Sequence, residues 1–289
     1  MSSPPGGLTA FTRRRVYATM TQEPTPELEV LFRVCASVRT TFRQAATSPH
    51  RGDVVAMGAD GSPTEEMDRL VESHVLRALE AEGVDWNVLS EEIGLVERGG
   101  DRLLVMDPID GSHNALRALP FSTVSLALGS KDLSGVDVGI VQDLSSGTSY
   151  WASRGGGAFR DGRPIRTRPW EARSEMFFVN LGRHSTPRSV ALASKGRRIR
   201  SLGCASLEVA LVAQGGADAY LFENDTELRN LRVTDIAAAY RILVEAGGGM
   251  CDAQLEPLDH FPLALGHRTT VFAYGDRAFR DGAKSGGYL

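Results

Sequence analysis

Lysine is nearly missing from this chain: only Lys131, Lys195 and Lys284 occur, and arginine supplies almost all the positive charge. Arginine brings planar, forked donors that suit phosphate. An overall positive field is missing too. The formal net charge of −4 excludes a nucleic-acid partner held by broad charge attraction. No apolar run reaches the roughly 18 residues that span a bilayer, so no membrane segment is expected. The first twenty residues contain no apolar core of the kind that marks a secretory signal. They read as a disordered leader; residues 1–23 are expected to be dispensable, with Met20 as an alternative start. Three scattered cysteines, Cys35, Cys204 and Cys251, lack metal-ligand spacing and fit a reducing cytoplasm better than a disulfide framework. A Gly-x-Ser-x-Gly elbow is also missing, which argues against a serine hydrolase. The run Gly155-Gly156-Gly157 has no following Lys-Ser/Thr, so it reads as a hairpin turn and not a P-loop.

What is present is ordinary for a folded chain: 42% apolar and 24% charged residues, over a length of 289 that allows two lobes with buried cores. Pro24 and Pro26 introduce a helix with Leu28, Leu31, Phe32, Val34, Cys35, Val38 and Phe42 at spacings of three and four. A glycine-rich loop precedes a second helix, from about Glu65 to Ala81. Trp86–Ser90 reads as a strand delivering Glu91 and Glu92, and Leu103–Met106 as another ending at Asp107. Runs at Thr123–Leu128, Val136–Gln142 and Thr148–Ala152 predict an antiparallel meander on the two helices. Near residue 170 the pattern becomes α/β-like. Strands at Met176–Asn180, Arg198–Leu202 and Ala219–Phe222 then alternate with helices at about Ser206–Ala213 and Thr234–Ala246. The expected division is an N-terminal α+β lobe over 24–168 and a C-terminal α/β lobe over 169–289, sharing a cleft.

The chemistry concentrates in Asp107-Pro108-Ile109-Asp110-Gly111-Ser112. Two acids three positions apart, stiffened by Pro108 and released by Gly111, can aim both carboxylates at one divalent ion. The carbonyl of Ile109 offers a neutral ligand. Gly111 and Ser112 open a helical turn whose first N–H groups are free for phosphate oxygens. Further acids stand at element ends: Asp68 early in the second helix, Glu91 after a strand, and Asp235 where a helix begins. Hydrolysis of a phosphate monoester needs such a set, because hard oxygen ligands hold magnesium ions that neutralise phosphate charge. Each acid alone has an ordinary reading as a solvated or helix-capping group.

Together, DPIDGS, the preceding SEE and the late TDIAAAYRILVEAGG resemble the inositol monophosphatase superfamily, which also includes fructose-1,6-bisphosphatases and nucleotide 3′-phosphatases. GGGAFRDGRPI and GGADAYLFE support the match, which covers most of residues 25–275. The resemblance implies a layered α-β-α-β-α sandwich of the sugar phosphatase type, α+β in class. It also implies two or three Mg2+ ions, with Mn2+ an alternative, and a homodimer or homotetramer. By the same resemblance Glu91, Asp107, the Ile109 carbonyl, Asp110 and Asp235 are metal ligands. Gly111 and Ser112 meet the phosphate, and Ser112 helps orient the attacking water. Asp68 falls where the family keeps an acid near a third metal or that water.

Ala115, His113 and Thr234 depart from the family pattern around the pocket without removing a ligand. Met57–Thr64 and Leu231–Asp235 look most like the archaeal-type branch, whose members commonly hydrolyse fructose 1,6-bisphosphate and inositol monophosphate. Arg229 and Arg232, close before Asp235, are candidates for binding a second phosphate or for plain solvated charges. His113 reads as a polar loop residue, with contact to the substrate as the alternative. Cys204, ahead of a helix, reads as a small buried apolar residue, with a thiol of lowered pKa as the alternative. The expected activity is Mg2+-dependent hydrolysis of small sugar or polyol phosphates. The rivals are a 3′-phosphoadenosine 5′-phosphate phosphatase or another specialised phosphatase of the same superfamily, and a non-catalytic phospho-ligand sensor.

Overall fold

The structure, a computed structural model, describes residues 24–283 and 286 apart from 60, 62, 172 and 173. The leader expectation for 1–23, and Asp60 and Ser62 of the glycine-rich loop, lie outside the described residues. Helix α1 (Pro26–Ala45) starts where Thr25 accepts the Leu28 N–H on its hydroxyl at 3.3 Å, with proline in the first turn. A hairpin of β1 (Val54–Met57) and β2 (Pro63–Glu65) leads into α2 (Glu66–Ala81). Met67, Val71, Val75 and Leu79 form the buried stripe of α2, and Asp68 and Glu72, one turn apart, are buried beside it.

The large sheet is built from β3 (Asn87–Ser90), β4 (Gly94–Val96), β5 (Leu103–Asp110), β6 (Thr123–Gly129), β7 (Val136–Asp143), β8 (Ser149–Ser153), β9 (Gly157–Arg160) and β10 (Arg163–Ile165). Its order is β10-β9-β8-β7-β6-β5-β3-β4, and within it only β3 and β5 run parallel. A five-residue helix, α3 (Ser112–Leu116), follows β5. The second sheet takes β11 (Met176–Val179), then α4 (Pro187–Lys195), β12 (Arg198–Arg200), α5 (Ala205–Ala213), β13 (Ala219–Phe222), α6 (Val233–Glu245), β14 (Gly249–Cys251), β15 (Val271–Tyr274) and α7 (Arg277–Ala283) between and around its strands. Its order is β12-β11-β13-β15-β14, parallel on one side and antiparallel on the other.

Burial defines five layers. Leu104, Met106, Leu126 and Ile140 face α1 and α2 on one side of the large sheet. Val105, Ala127 and Val141 face α5 and α6 on the other, and those helices meet Phe178, Tyr220 and Ala273 of the small sheet. Phe177, Leu221 and Phe272 then pack on Leu192 of α4 and Phe279 of α7. This is the α-β-α-β-α sandwich expected. The meander is also as expected, extended by β9 and β10 through the Gly155–Gly157 turn.

Two placements matter for function. A Cβ added at Gly139 in β7 would lie 2.6 Å from the Ala238 carbonyl, so α6 rests directly on the large sheet through glycine and the Ala237–Ala239 run. That contact brings the first turn of α6, with Asp235, over the end of β5. The other is a β-bulge: Asp107 pairs with Ser125 and Asp110 with Thr123, so Pro108 and Ile109 together oppose Val124. The acids therefore sit within the strand, not in a turn after it.

Candidate active site

Strand periodicity would send residues 107 and 110 to opposite faces. Along β5, Leu104 and Met106 face α1 and α2, and Val105 faces α5. The bulge then shifts the alternation. Ile109 joins the α1–α2 core, and Asp110 turns to the start of α5 with Asp107 on the same side. Pro108 has no N–H to leave unpaired, and the Ile109 N–H donates to Asp107 at 2.9 Å. The pair therefore leaves the ladder with its backbone donors accounted for. Gly111 holds φ at +83°, and a Cβ there would meet the Phe121 carbonyl at 2.6 Å. Asn114 staples the turn by donating to the carbonyls of Phe121 at 2.9 Å and Leu202 at 2.7 Å. Ser112 is half-buried at the first position of α3, whose first N–H groups have no intrahelical partner.

Asp107 is 3% exposed, and its carboxyl is pushed well above the usual range. Burial is the largest cause, followed by repulsion from Glu91, Asp110, Asp235 and Asp68. Acids from α2, β5, α6 and the segment after β3 thus share one electrostatic neighbourhood. Asp110 is also raised by burial, opposed by donors on α5. Its Oδ2 accepts from the Ser206 N–H and hydroxyl, both at 2.6 Å, and among the described residues its Oδ1 takes only the Ala205 N–H at 3.2 Å. Asp235 is pushed up to about 6 by burial and then by the charge of Asp110. Asp68 is pushed up to about 8, first by burial and then by a hydrogen bond and repulsion from Glu65.

Arg232 ties two of these acids together. Its N–H donates to Asp235 at 2.7 Å, and its guanidinium pairs with Glu91 at 2.9 Å. Arg229 is exposed on a short 3-10 turn, Glu227–Arg229. A cavity of about 720 Å³ is lined by Arg229, Arg232 and Arg268, with Gly61 and His184 on its wall.

As they stand, no group of three acids, histidines or cysteines among the described residues is drawn in tightly enough to hold an ion. Asp110 leans to α5, while Glu91 and Asp235 lean to Arg232. The donor set nevertheless fits a hard divalent cation. Mutually repelling carboxylates lose their repulsion when a cation enters. Asp110 keeps lone-pair capacity on Oδ1, and the buried Oδ2 of Asp68 has no partner among the described residues.

Cys204 is not activated. Its thiol is 1% exposed, is raised well above the ordinary value by burial and then by Asp110, and donates to Asp110 at 3.3 Å. His113 is exposed, while Ala115 and Thr234 are buried. Sequence reasoning missed Glu72. This residue, 2% exposed, accepts from the Ser90 hydroxyl at 2.5 Å and the Ile93 N–H at 3.3 Å, and so clamps both flanks of Glu91 to α2. Burial pushes it up to about 7. The available signal was its position four residues after Asp68, on the same helix face. Glu208, which anchors the Leu202 N–H at 2.7 Å, and Arg268 were also missed; neither falls inside a motif.

A five-layer sandwich with buried and half-buried acids gathered from four segments beside a glycine-opened helical turn defines a metal-dependent phosphatase. The profile of the inositol monophosphatase family matches residues 24–275, and the chain belongs to that family, whose members are metal-dependent phosphatases. It is 33% identical to the fructose-1,6-bisphosphatase/inositol-1-monophosphatase of Methanothermobacter thermautotrophicus, over 86% of this chain and 91% of that protein. It is 28% identical to the bifunctional NADP phosphatase/NAD kinase of Methanococcus maripaludis, over 78% of this chain and 43% of that protein. Among solved structures, the Thermotoga maritima IMPase matches with a TM-score of 0.70 at 26% identity, covering 88% of this chain and 94% of that one. No helix among the described residues is long and apolar enough to cross a membrane.

Proposed function

We propose that this sugar-phosphate phosphatase is a Mg2+-dependent phosphomonoesterase acting on small sugar or polyol phosphates, with fructose 1,6-bisphosphate and inositol 1-phosphate as substrates. The observation that carries the reading is the repulsion of Glu91, Asp110, Asp235 and Asp68 upon a buried Asp107. Nothing in a folded chain repays that repulsion as well as divalent cations do. Glu91, Asp107, the Ile109 carbonyl, Asp110 and Asp235 would hold two or three such ions. Bound magnesium supplies charge neutralisation at the phosphate and acidifies a water within its reach.

The chain's own groups do the rest. The N–H groups of Gly111 and Ser112 orient the phosphate oxygens, as helix starts do for anions. The Ser112 hydroxyl aligns the attacking water, and Asp68 takes its proton. Asp68, pushed up to about 8 with no cation beside it, keeps its proton at neutral pH; cations bound nearby would lower it and free it to act as the base. Arg229 and Arg232 approach the substrate from the open side. We place the enzyme in the cytoplasm, acting on a small molecule.

Asp110→Asn keeps the acceptor for α5 and removes one ligand charge. It should fold as the parent does and lose Mg2+-dependent phosphate release by at least a hundredfold. Near-parental turnover with an intact fold would contradict the ligand assignment.

A further inference from the structure

Two hydroxyls beside the acid cluster are buried with no hydrogen-bond partner among the described residues. They are the Oγ of Ser125 and the Oγ1 of Thr234, each in a residue 1% exposed. A buried hydroxyl left in this way weakens the fold, so its retention calls for a function.

Backbone register places both. On β6, Ala127 faces α5 and α6, and Ser125, two residues before it, lies on the same side. Ser125 is the direct partner of Asp107 across the ladder, where facing side chains come within about 5 Å. On its other flank Ser125 pairs with Val141 of β7. Helix α6 runs against the direction of β7: Ala238 rests on Gly139, and Arg241 donates to the Val136 carbonyl at 2.8 Å. Thr234, one turn back from Ala238 on the same helix face, therefore stands over the Val141–Ser125 pair.

The ordinary local partners are engaged elsewhere. A helical threonine can bond back to a carbonyl one turn earlier. Those of Asn230 and Leu231 already accept from Arg268 at 3.0 Å and from the Thr269 N–H at 2.9 Å. By contrast Thr123, on the same face of β6 as Ser125, is satisfied by Ser206 at 2.7 Å. Asp107 takes one hydrogen bond among the described residues, from the Ile109 N–H at 2.9 Å, and a charged carboxylate can accept about four.

We propose that Ser125 and Thr234 are positioning residues for the metal site, whose hydroxyls donate to the Asp107 carboxylate once cations are bound. Such outer hydrogen bonds fix which way a ligating carboxylate turns. In the metal-free chain the two hydroxyls are a cost, and with cations bound they become part of what holds the ligand. This rests on Asp107 being a metal ligand and adds the groups that steady it.

The test is Mg2+ binding by titration calorimetry, with thermal unfolding in EDTA, for the parent, Ser125→Ala, Thr234→Val and Thr234→Ser. Neither readout needs substrate or turnover. In EDTA, Ser125→Ala and Thr234→Val should melt no lower than the parent, because each removes a hydroxyl that is buried and unpaired there. Each should also raise the apparent Mg2+ Kd at least threefold. Thr234→Ser, which keeps the hydroxyl, should stay within twofold of the parent. A hydroxyl with a purely structural role would do the opposite, lowering the metal-free melting point on removal and leaving the Kd unmoved. Either of those results in both Ser125→Ala and Thr234→Val overturns the positioning role while the metal site stands. A parent that takes up no Mg2+ overturns the metal-dependent reading, and the positioning role falls with it.

Discussion

Replacing Asp235 with asparagine should make the metal-free protein more stable while disabling it. Free aspartate ionises near 3.8, and in the folded chain Asp235 holds its proton up to about 6. Between those values the native state binds more protons than the unfolded state. Stability therefore falls as pH rises through this window, and the loss is complete above about 6. A displacement from 3.8 to about 6 is worth roughly 3 kcal/mol at about 1.4 kcal/mol per unit. Asp235 is half-buried, so solvent screening leaves a working range of about 1–3 kcal/mol. Roughly half is already lost at pH 5. Asparagine keeps the carbonyl that accepts the Arg232 N–H and carries no charge. In EDTA at pH 8, Asp235→Asn should therefore melt about 2–6 °C above the parent, with a smaller gap at pH 5. Magnesium should reverse the ranking, because an ion at a hundred times its Kd stabilises the parent by about 2.7 kcal/mol. Thermal unfolding by circular dichroism in EDTA and in Mg2+ reads all four cases. A variant that melts below the parent at pH 8 in EDTA would show that the acids are not crowded against one another.

Two further substitutions probe the scaffold. Gly111→Ala forces an L side chain to φ +83° with its Cβ 2.6 Å from the Phe121 carbonyl. It should cost about 2–4 kcal/mol in denaturant unfolding and lower kcat at least tenfold. Glu72→Ala leaves the Ser90 hydroxyl and the Ile93 N–H without their buried acceptor, at a cost of about 1–3 kcal/mol. By loosening the flanks of Glu91 it should raise the Mg2+ needed for half-activation about tenfold with little change in KM. Glu72→Gln, which keeps an acceptor, should recover most of that, and an unchanged magnesium requirement in Glu72→Ala would remove the clamp.

Much of this was legible because the informative residues carry their own local reasons. Pro24 and Pro26 mark the start of α1, Leu28 to Phe42 its buried face, and Asp107 to Ser112 the acids that end β5 and the turn that opens α3. The family pattern then joined to that segment Glu91, shortly before it, and Asp235, more than a hundred residues after it. What stayed hidden depends on contacts between distant elements. The bulge at Pro108-Ile109 is fixed by pairing with β6, which no local pattern of β5 declares. Asp110 leans on Ser206, and Glu72 on Ser90 and Ile93, through partners that only packing supplies. The strands β14 and β15 and the helices α4 and α7 are short, and they take their stability from the small sheet and not from their own periodicity. Cys204 stands ahead of a helix, but its reading as a small buried apolar residue holds: burial, with Asp110 beside it, keeps the thiol protonated.

The most direct test of a metal-dependent phosphatase built on these acids is inorganic phosphate release from fructose 1,6-bisphosphate and inositol 1-phosphate. The purified protein would be assayed in EDTA and again after Mg2+ is restored. The expected result is release with Mg2+, none in EDTA, and full recovery on adding the ion back. Release that persists in EDTA, or none from either substrate with saturating Mg2+, would contradict it.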